Sequence, residues 1–334
     1  MVDENHSDGL AKKINADVMS PLADPVVEEI YKDESVAGLA AGSFIGAVLS
    51  ECGEAFGTVV EVTPQKRQTQ PGRRGCYIDV LARSDANRIA LQEVQLYFDP
   101  SILQRNVLAA SHLFTSEARR GTTALEMAAE MPYISAINIF GHVNNCRKDN
   151  RELLQPIHFV YDKEPRDVAL RQFAMFNVQL PYLPEAPANF SNPLYCWSRL
   201  LYEMHFNKKL PEEVYAMEPR LKEFVESDAG ASQFVARYGE ATAIPAVRQA
   251  YEDWILADFR ERSMLQGARD EGREEGIKEG REEGIKEGRE EGVKEGETKK
   301  SFTIAKNAIA MKMPISQIEQ LTGLTKTQIE ELRR

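Results

Sequence analysis

Residues 76–98, CYIDVLARSDANRIALQEVQLYF, constrain this chain more than any other stretch. Read with period-two alternation, they form two strands, about 76–82 and 89–98, joined by a short polar turn from Arg83 to Arg88. A hairpin symmetric about Ala86 sets Asp79 opposite Glu93 and Tyr77 opposite Gln95. Like charges directly opposite each other in a sheet repel, so a hairpin built only for stability avoids this pair. A divalent cation between the carboxylates reverses the sign of that interaction. The plainer alternative is that an Asp and a Glu near strand ends face solvent.

Mg²⁺ takes oxygen ligands in octahedral geometry and keeps several waters, so one or two carboxylates suffice to hold it. Asp79 and Glu93, with the backbone carbonyl of Val94 beside them, are such a set. A metal there lowers the pKa of a bound water and stabilises negative charge on a phosphodiester. Gln95 shares the strand face of Glu93. As a neutral amide it can orient a water or a phosphate oxygen, but it cannot act as a general base.

The rest of the chain bounds the setting. Its 334 residues are enough for one large or two modest domains with a true core. The four cysteines (Cys52, Cys76, Cys146 and Cys196) form no CxxC pair, which argues against a zinc site and fits a reducing cytoplasm. The first twenty residues lack the apolar segment of a secretory signal, and no run is apolar enough to cross a bilayer, so a soluble, cytoplasmic protein is expected. The net charge of −11 is concentrated in residues 270–297, which hold 12 acids and 6 bases. Elsewhere the chain is only mildly acidic, and Lys66, Arg67, Arg73, Arg74, Arg119 and Arg120 are either phosphate-binding patches or solvated loops.

Along the chain, residues 1–20 read as a mobile tail and 21–165 as an α/β core. Two helices are expected between Pro21 and Glu51, broken near Lys32–Ser35, with Leu39 among the inward residues. Strands follow at Gly57–Pro64, in the hairpin, at Tyr133–Phe140 and at Ile157–Tyr161. A helix over about 101–119, with Ile102, Leu103, Val107, Leu108 and Leu113 inward, separates the hairpin from the later strands. That order predicts a mixed central sheet flanked by helices. Residues 166–265 read as a helical cover of the same domain.

The octad REEGIKEG or REEGVKEG occupies 273–296, with glycine at every fourth residue from Gly272 to Gly296. Glu274–Lys278, Glu282–Lys286 and Glu290–Lys294 are favourable i,i+4 pairs worth a few tenths of a kcal/mol each. Each glycine opposes a helix by about 0.8–1 kcal/mol relative to alanine. A long isolated helix over 266–300 is therefore expected to be marginal: either a charged spacer or a helix stabilised by self-association. The tail, 301–334, reads as helix-turn-helix-like, with Ile304, Ala308, Ile309 and Met311 on a first helix. Ile318, Leu321, Leu324, Ile329 and Leu332 are expected to point inward about Gly323. It binds either DNA or a protein partner.

The order αβββαβ, with Asp79 followed by Glu93-x-Gln95 on the next strand, resembles the PD-(D/E)XK nuclease superfamily. More narrowly it is similar to the Rpn family of recombination-promoting, transposase-like nucleases, in which glutamine replaces the usual lysine, as at Gln95. SPLADPVVEEIYKD at 20–33 is similar to that family's opening segment, Arg105 matches its helical arginine, and Trp197 and the Glu/Gly-rich segment are family-like. The resemblance spans roughly residues 20–300. It implies a Mg²⁺-dependent endonuclease acting on double-stranded DNA and linked to recombination or mobile elements. It also implies roles: Asp79 and Glu93 as ligands, Gln95 positioning water or phosphate, Asp24 as an outer ligand or water orienter, and Arg105 as a phosphate contact or brace. The competing expectation is a nuclease-like DNA-binding or scaffold protein of little catalytic power that self-associates through 266–300.

Overall fold

The computed structural model describes residues 18–68, 76–96, 101–117, 130–142, 151–161, 164–184 and 188–333, with Thr123 and Glu126 between them. It divides into two compact units, Met1–Ile255 and Leu256–Arg334.

The first unit is built on one six-stranded mixed sheet. Its strands are β1 Val59–Gln68, β2 Cys76–Ser84, β3 Arg88–Gln95, β4 Tyr133–Phe140, β5 Leu154–Tyr161 and β6 Glu164–Gln179, in the order β1-β2-β3-β4-β6-β5. The β1/β2, β2/β3 and β5/β6 pairs are antiparallel, while β3/β4 and β4/β6 are parallel. The hairpin register is the expected one, with Arg83 opposite Ile89 and Val80 opposite Gln92. Asn87 closes the turn at φ 54°, a left-handed conformation that asparagine tolerates. Gly57, at φ 93°, leaves room where a Cβ would meet the Asp85 carboxylate, which accepts from the Thr58 N–H at 2.9 Å.

Alternation along the strands separates two cores. On one face Val80, Ala82, Ala90, Val94, Ile137, Ile139, Phe176 and Val178 pack against α1 (Asp24–Ile30), α2 (Glu34–Ser50) and α4 (Pro193–His205). Trp197 of α4 centres that core, meeting Phe44, Phe224 and Phe234 edge-on and donating to Ser43 Oγ at 3.0 Å. On the other face Leu81, Ile89, Leu91, Ile134, Ala136, Phe173 and Met175 pack against α3 (Ile102–Glu117). Helices α5 (Pro211–Met217), α6 (Pro219–Ser227), α7 (Ala229–Ala243) and the start of α8 (Pro245–Ala310) complete the unit.

Several expectations are corrected. Residues 164–179 are not helical: β6 runs between β4 and β5, so the helical half begins only at Pro193. Pairing on both edges and burial of Phe173 to Val178 override the helix-favouring Ala, Leu, Arg, Gln and Met of this segment. The first strand is Val59–Gln68 rather than Gly57–Pro64. On α3, Leu103, Val107 and Leu108 are exposed, and the buried face is Ile102, Asn106, Ala109, Ala110 and Leu113. Ala109, Ala110 and Leu113, not Leu103 or Leu108, approach the sheet. Leu39 of α2 is likewise exposed. Of the expected tail, residues 1–17 lie outside the described residues, while Val18, Met19 and Ser20 are buried. Tyr238 Oη donates to Met19 O at 2.8 Å, Ser20 N–H donates to Tyr251 Oη at 3.1 Å, and Ser20 Oγ lies 2.7 Å from His205 Nδ1.

In the second unit the 266–300 repeat is one continuous helical stretch of α8. Among the described residues the three expected Glu–Lys pairs do not close to salt-bridge distance, whereas Glu295 and Lys299 do at 3.2 Å. The expected tail helices are α9 (Ile315–Thr322) and α10 (Lys326–Leu332), joined through Gly323 at φ 70°. Ala305, Ala308, Ile318, Leu324 and Ile329 form their small core. Leu321 is exposed instead of inward; Ile304, and Met311 just past the end of α8, are exposed as well, the buried stripe running through Ala305 and Ala308. Among the described residues no helix is long and apolar enough to cross a membrane.

Candidate functional site

Asp79 stands where β2 and β3 part. The β2/β3 ladder reaches Val80 and Gln92, and continuing its register by one step puts Asp79 opposite Glu93, as the hairpin spacing required. Beyond that step the Val94 N–H donates to Asp79 Oδ2 at 2.7 Å, so a side chain takes a donor that a regular ladder gives to backbone. The expected role for Val94 was its carbonyl; what reaches Asp79 is its amide. Glu93 is buried and faces α3, as the burial of Leu91 on the same strand face dictates. Arg105, in the first turns of α3, brings Nη2 to 3.4 Å from Glu93 Oε2.

The electrostatics of these groups are coupled. Burial pushes the Asp79 carboxyl up to about 6; the charge of Asp24 adds to the rise, while the Val94 amide and the Arg105 guanidinium oppose it. Asp24, at the start of α1, is raised by burial of its carboxyl, with a hydrogen bond from Trp254 of α8 pulling the other way. Thus Asp24, distant in sequence, shares one site with Asp79, Glu93 and Arg105. Gln95 follows at the C-terminal end of β3, half-buried, and its backbone carbonyl accepts from Gly141 N–H at 2.9 Å. The side chain of Tyr77 lies outside the described residues, as do Arg73, Arg74, Arg119 and Arg120.

The donor set suits a hard cation. Asp79 and Glu93 offer carboxylate oxygens, and a divalent charge offsets both the burial that chiefly raises Asp79 and the Asp24 charge that adds to the rise. Among the described residues no group of three or more His, Cys, Asp or Glu side chains forms a metal-binding cluster. A bound Mg²⁺ would therefore take two carboxylates from the chain and complete its shell with water, which that ion accepts.

Spacing arguments missed a second set of residues on the same sheet face. Asn106 Nδ2 donates to Asn138 Oδ1 at 2.8 Å, Asn138 Nδ2 to Asn177 Oδ1 at 2.8 Å, and Asn177 Nδ2 to Gln155 Oε1 at 3.2 Å. The signal was present in the lone asparagines of the apolar runs YISAINIF and FAMFNVQ, since a buried amide without a partner is costly. Trp254 was missed as well, because nothing local in sequence connects it to Asp24. No family model, curated protein or solved structure matches this chain.

Proposed function

We propose that this chain is a metal-dependent DNA endonuclease with a PD-(D/E)XK-type core, related to the Rpn recombination-promoting nucleases and using Mg²⁺ on double-stranded DNA. The observation that carries the reading is the Asp79 carboxylate, seated on the Val94 amide where the hairpin parts, beside Glu93 and with its pKa lifted to about 6. Asp79 and Glu93 would hold the ion, which supplies a more acidic water and offsets charge on the phosphodiester. Gln95, two residues beyond Glu93 on the same strand face, orients the attacking water or a phosphate oxygen through its amide. Asp24, held by Trp254, orients water at the rim of the site. Arg105, about one-third exposed, braces Glu93 and presents its outer edge to a phosphate.

The test is incubation of supercoiled plasmid with the protein and Mg²⁺, beside Asp79→Ala and Glu93→Ala. Nicking by the wild-type chain is expected to vanish with chelator and in both variants. Equal cleavage by all three proteins would sink the assignment.

A second reading is favoured by Gln95 itself, since a neutral amide stands where a cationic lysine usually assists cleavage. In that reading the chain binds DNA as a scaffold and self-associates through residues 266–300. Gel retardation of DNA without nicking supports it, and a monomer mass for the full chain by light scattering removes its self-association.

A further inference from the structure

Three buried amides, Asn138, Asn177 and Gln155, lie in one row across the sheet, level with the carboxylates, and Asn106 of α3 joins the row at Asn138. Glu93 is the ladder neighbour of Asn138, Asn138 of Asn177, and Asn177 of Gln155. Asn138 is 0% exposed and Asn106 2%, and Leu91, Ala136 and Met175 on the same face make the surroundings apolar. An apolar row would pack there with no polar group to desolvate, so a row of amides specifies position more than it adds stability. Only one of its members, Asn106, belongs to α3, and it is the residue next to Arg105.

We propose that the row Asn106–Asn138–Asn177–Gln155 is a positioning device: it fixes the register of α3 on the sheet, and thereby places the Arg105 guanidinium against Glu93. A slide of α3 by one residue displaces it about 1.5 Å and turns it about 100°. Such a slide breaks the 2.8 Å Asn106–Asn138 bond and carries Arg105 away from Glu93. The 3.4 Å Arg105–Glu93 contact is long for a charge-assisted hydrogen bond, so its own attraction is a poor register mark. The neighbouring amide, at 2.8 Å and fully buried on the sheet side, is a good one. The significance of this device for metal binding rests on the reading of the site given above; the placement of α3 does not.

The test uses the full chain with Arg105→Gln, Asn106→Ala, both together, and Asn106→Gln. Mn²⁺ affinity is measured by calorimetry, and hydrogen exchange over residues 102–117 by mass spectrometry. Removing the cation beside Glu93 by Arg105→Gln is expected to tighten Mn²⁺ binding several-fold. Asn106→Ala is expected to tighten it in the same direction, the double variant to add less than twofold beyond either, and Asn106→Gln to restore much of the wild-type value. Exchange over α3 is expected to quicken at least tenfold in Asn106→Ala while residues 134–139 stay protected. If Asn106→Ala lowers the melting temperature yet leaves Mn²⁺ affinity and the Arg105→Gln effect unchanged, the row only stabilises the core and the proposal falls. If the wild-type chain binds no Mn²⁺, the metal reading fails and the exchange data decide alone; unchanged exchange over α3 then overturns the proposal.

Discussion

Replacing Asp79 by asparagine isolates the electrostatic strain of the site. The folded carboxyl titrates at about 6 against 3.8 for an ordinary aspartate, chiefly because it is buried. At 1.36 kcal/mol per pKa unit, ionised Asp79 costs the folded state about 3 kcal/mol. The folded pKa is raised, so the folded state binds the proton more tightly than the unfolded chain does. Stability from this group is therefore fully present below pH 3.8 and is lost as pH rises through about 6. Asparagine mimics the protonated form and keeps an acceptor for the Val94 N–H. In metal-free buffer with chelator, Asp79→Asn is expected to match wild type near pH 4. By pH 7.5 it should exceed wild type by up to about 3 kcal/mol, or roughly 6–12 °C in melting temperature for a domain of this size. Thermal and urea unfolding across pH 4–8 measure the difference. Excess Mg²⁺ should raise the wild-type midpoint at pH 7.5 and leave that of Asp79→Asn nearly unmoved. A difference between the proteins that does not vary with pH would refute the reasoning, as would a variant less stable than wild type at pH 7.5 without metal.

Other residues carry their own tests. Burial alone would raise the Glu203 carboxyl, but hydrogen bonds from Lys209 and Asn207, with the charge of Arg199, hold it below its ordinary value. Glu203→Gln should therefore cost about 1.5–3 kcal/mol at neutral pH, a penalty that shrinks as pH falls through the lowered carboxyl range, read by urea titration. A Cβ at Gly230 meets the backbone carbonyl oxygen of Leu39 and the Cβ of Ser43, so Gly230→Ala should cost about 1–3 kcal/mol by forcing α7 from α2. A melting temperature unchanged in that variant would show that the helices separate freely. Gly276, Gly280 and Gly284 have open space around them, and alanine at all three should raise the helix midpoint followed at 222 nm, each contributing about 0.8–1 kcal/mol. A lowered midpoint would mean that the glycines accommodate a close neighbour.

Much of the site could be read from the chain because its parts are local. Asp79 and Glu93 are separated by one short turn, so period-two counting about Ala86 fixes their register, and the ladder agrees at Arg83–Ile89. Tyr133–Phe140 was equally plain, being a β-branched run with no competing period. β6 was not, because its apolar residues are compatible with either period and its strand character comes from β4 and β5 on its two edges. Asn106, Asn138, Asn177 and Gln155 meet only once the sheet order is known. The continuous helix over 266–300 went against summed propensities: its side chains there are exposed, so no tertiary burial explains it, and local contacts hold it, namely backbone hydrogen bonds with i,i+4 side-chain pairs such as Glu295–Lys299 and Gln266–Asp270.

The burial of Met19 and Ser20 under Tyr238 and Tyr251 has a consequence for the order in which the site comes together. Asp79, Glu93 and Arg105 lie within one hairpin and the helix that follows, and their contacts close short loops. Asp24 hangs from a segment whose anchors lie 185, 219 and 231 residues further along. During synthesis the hairpin carboxylates can therefore meet early, while the acidic residue at the start of α1 is fastened only after Tyr251 and Trp254 have emerged. A chain cut short before Tyr251 and Trp254 would lack these anchors, and with them the placement of Asp24 beside the hairpin carboxylates.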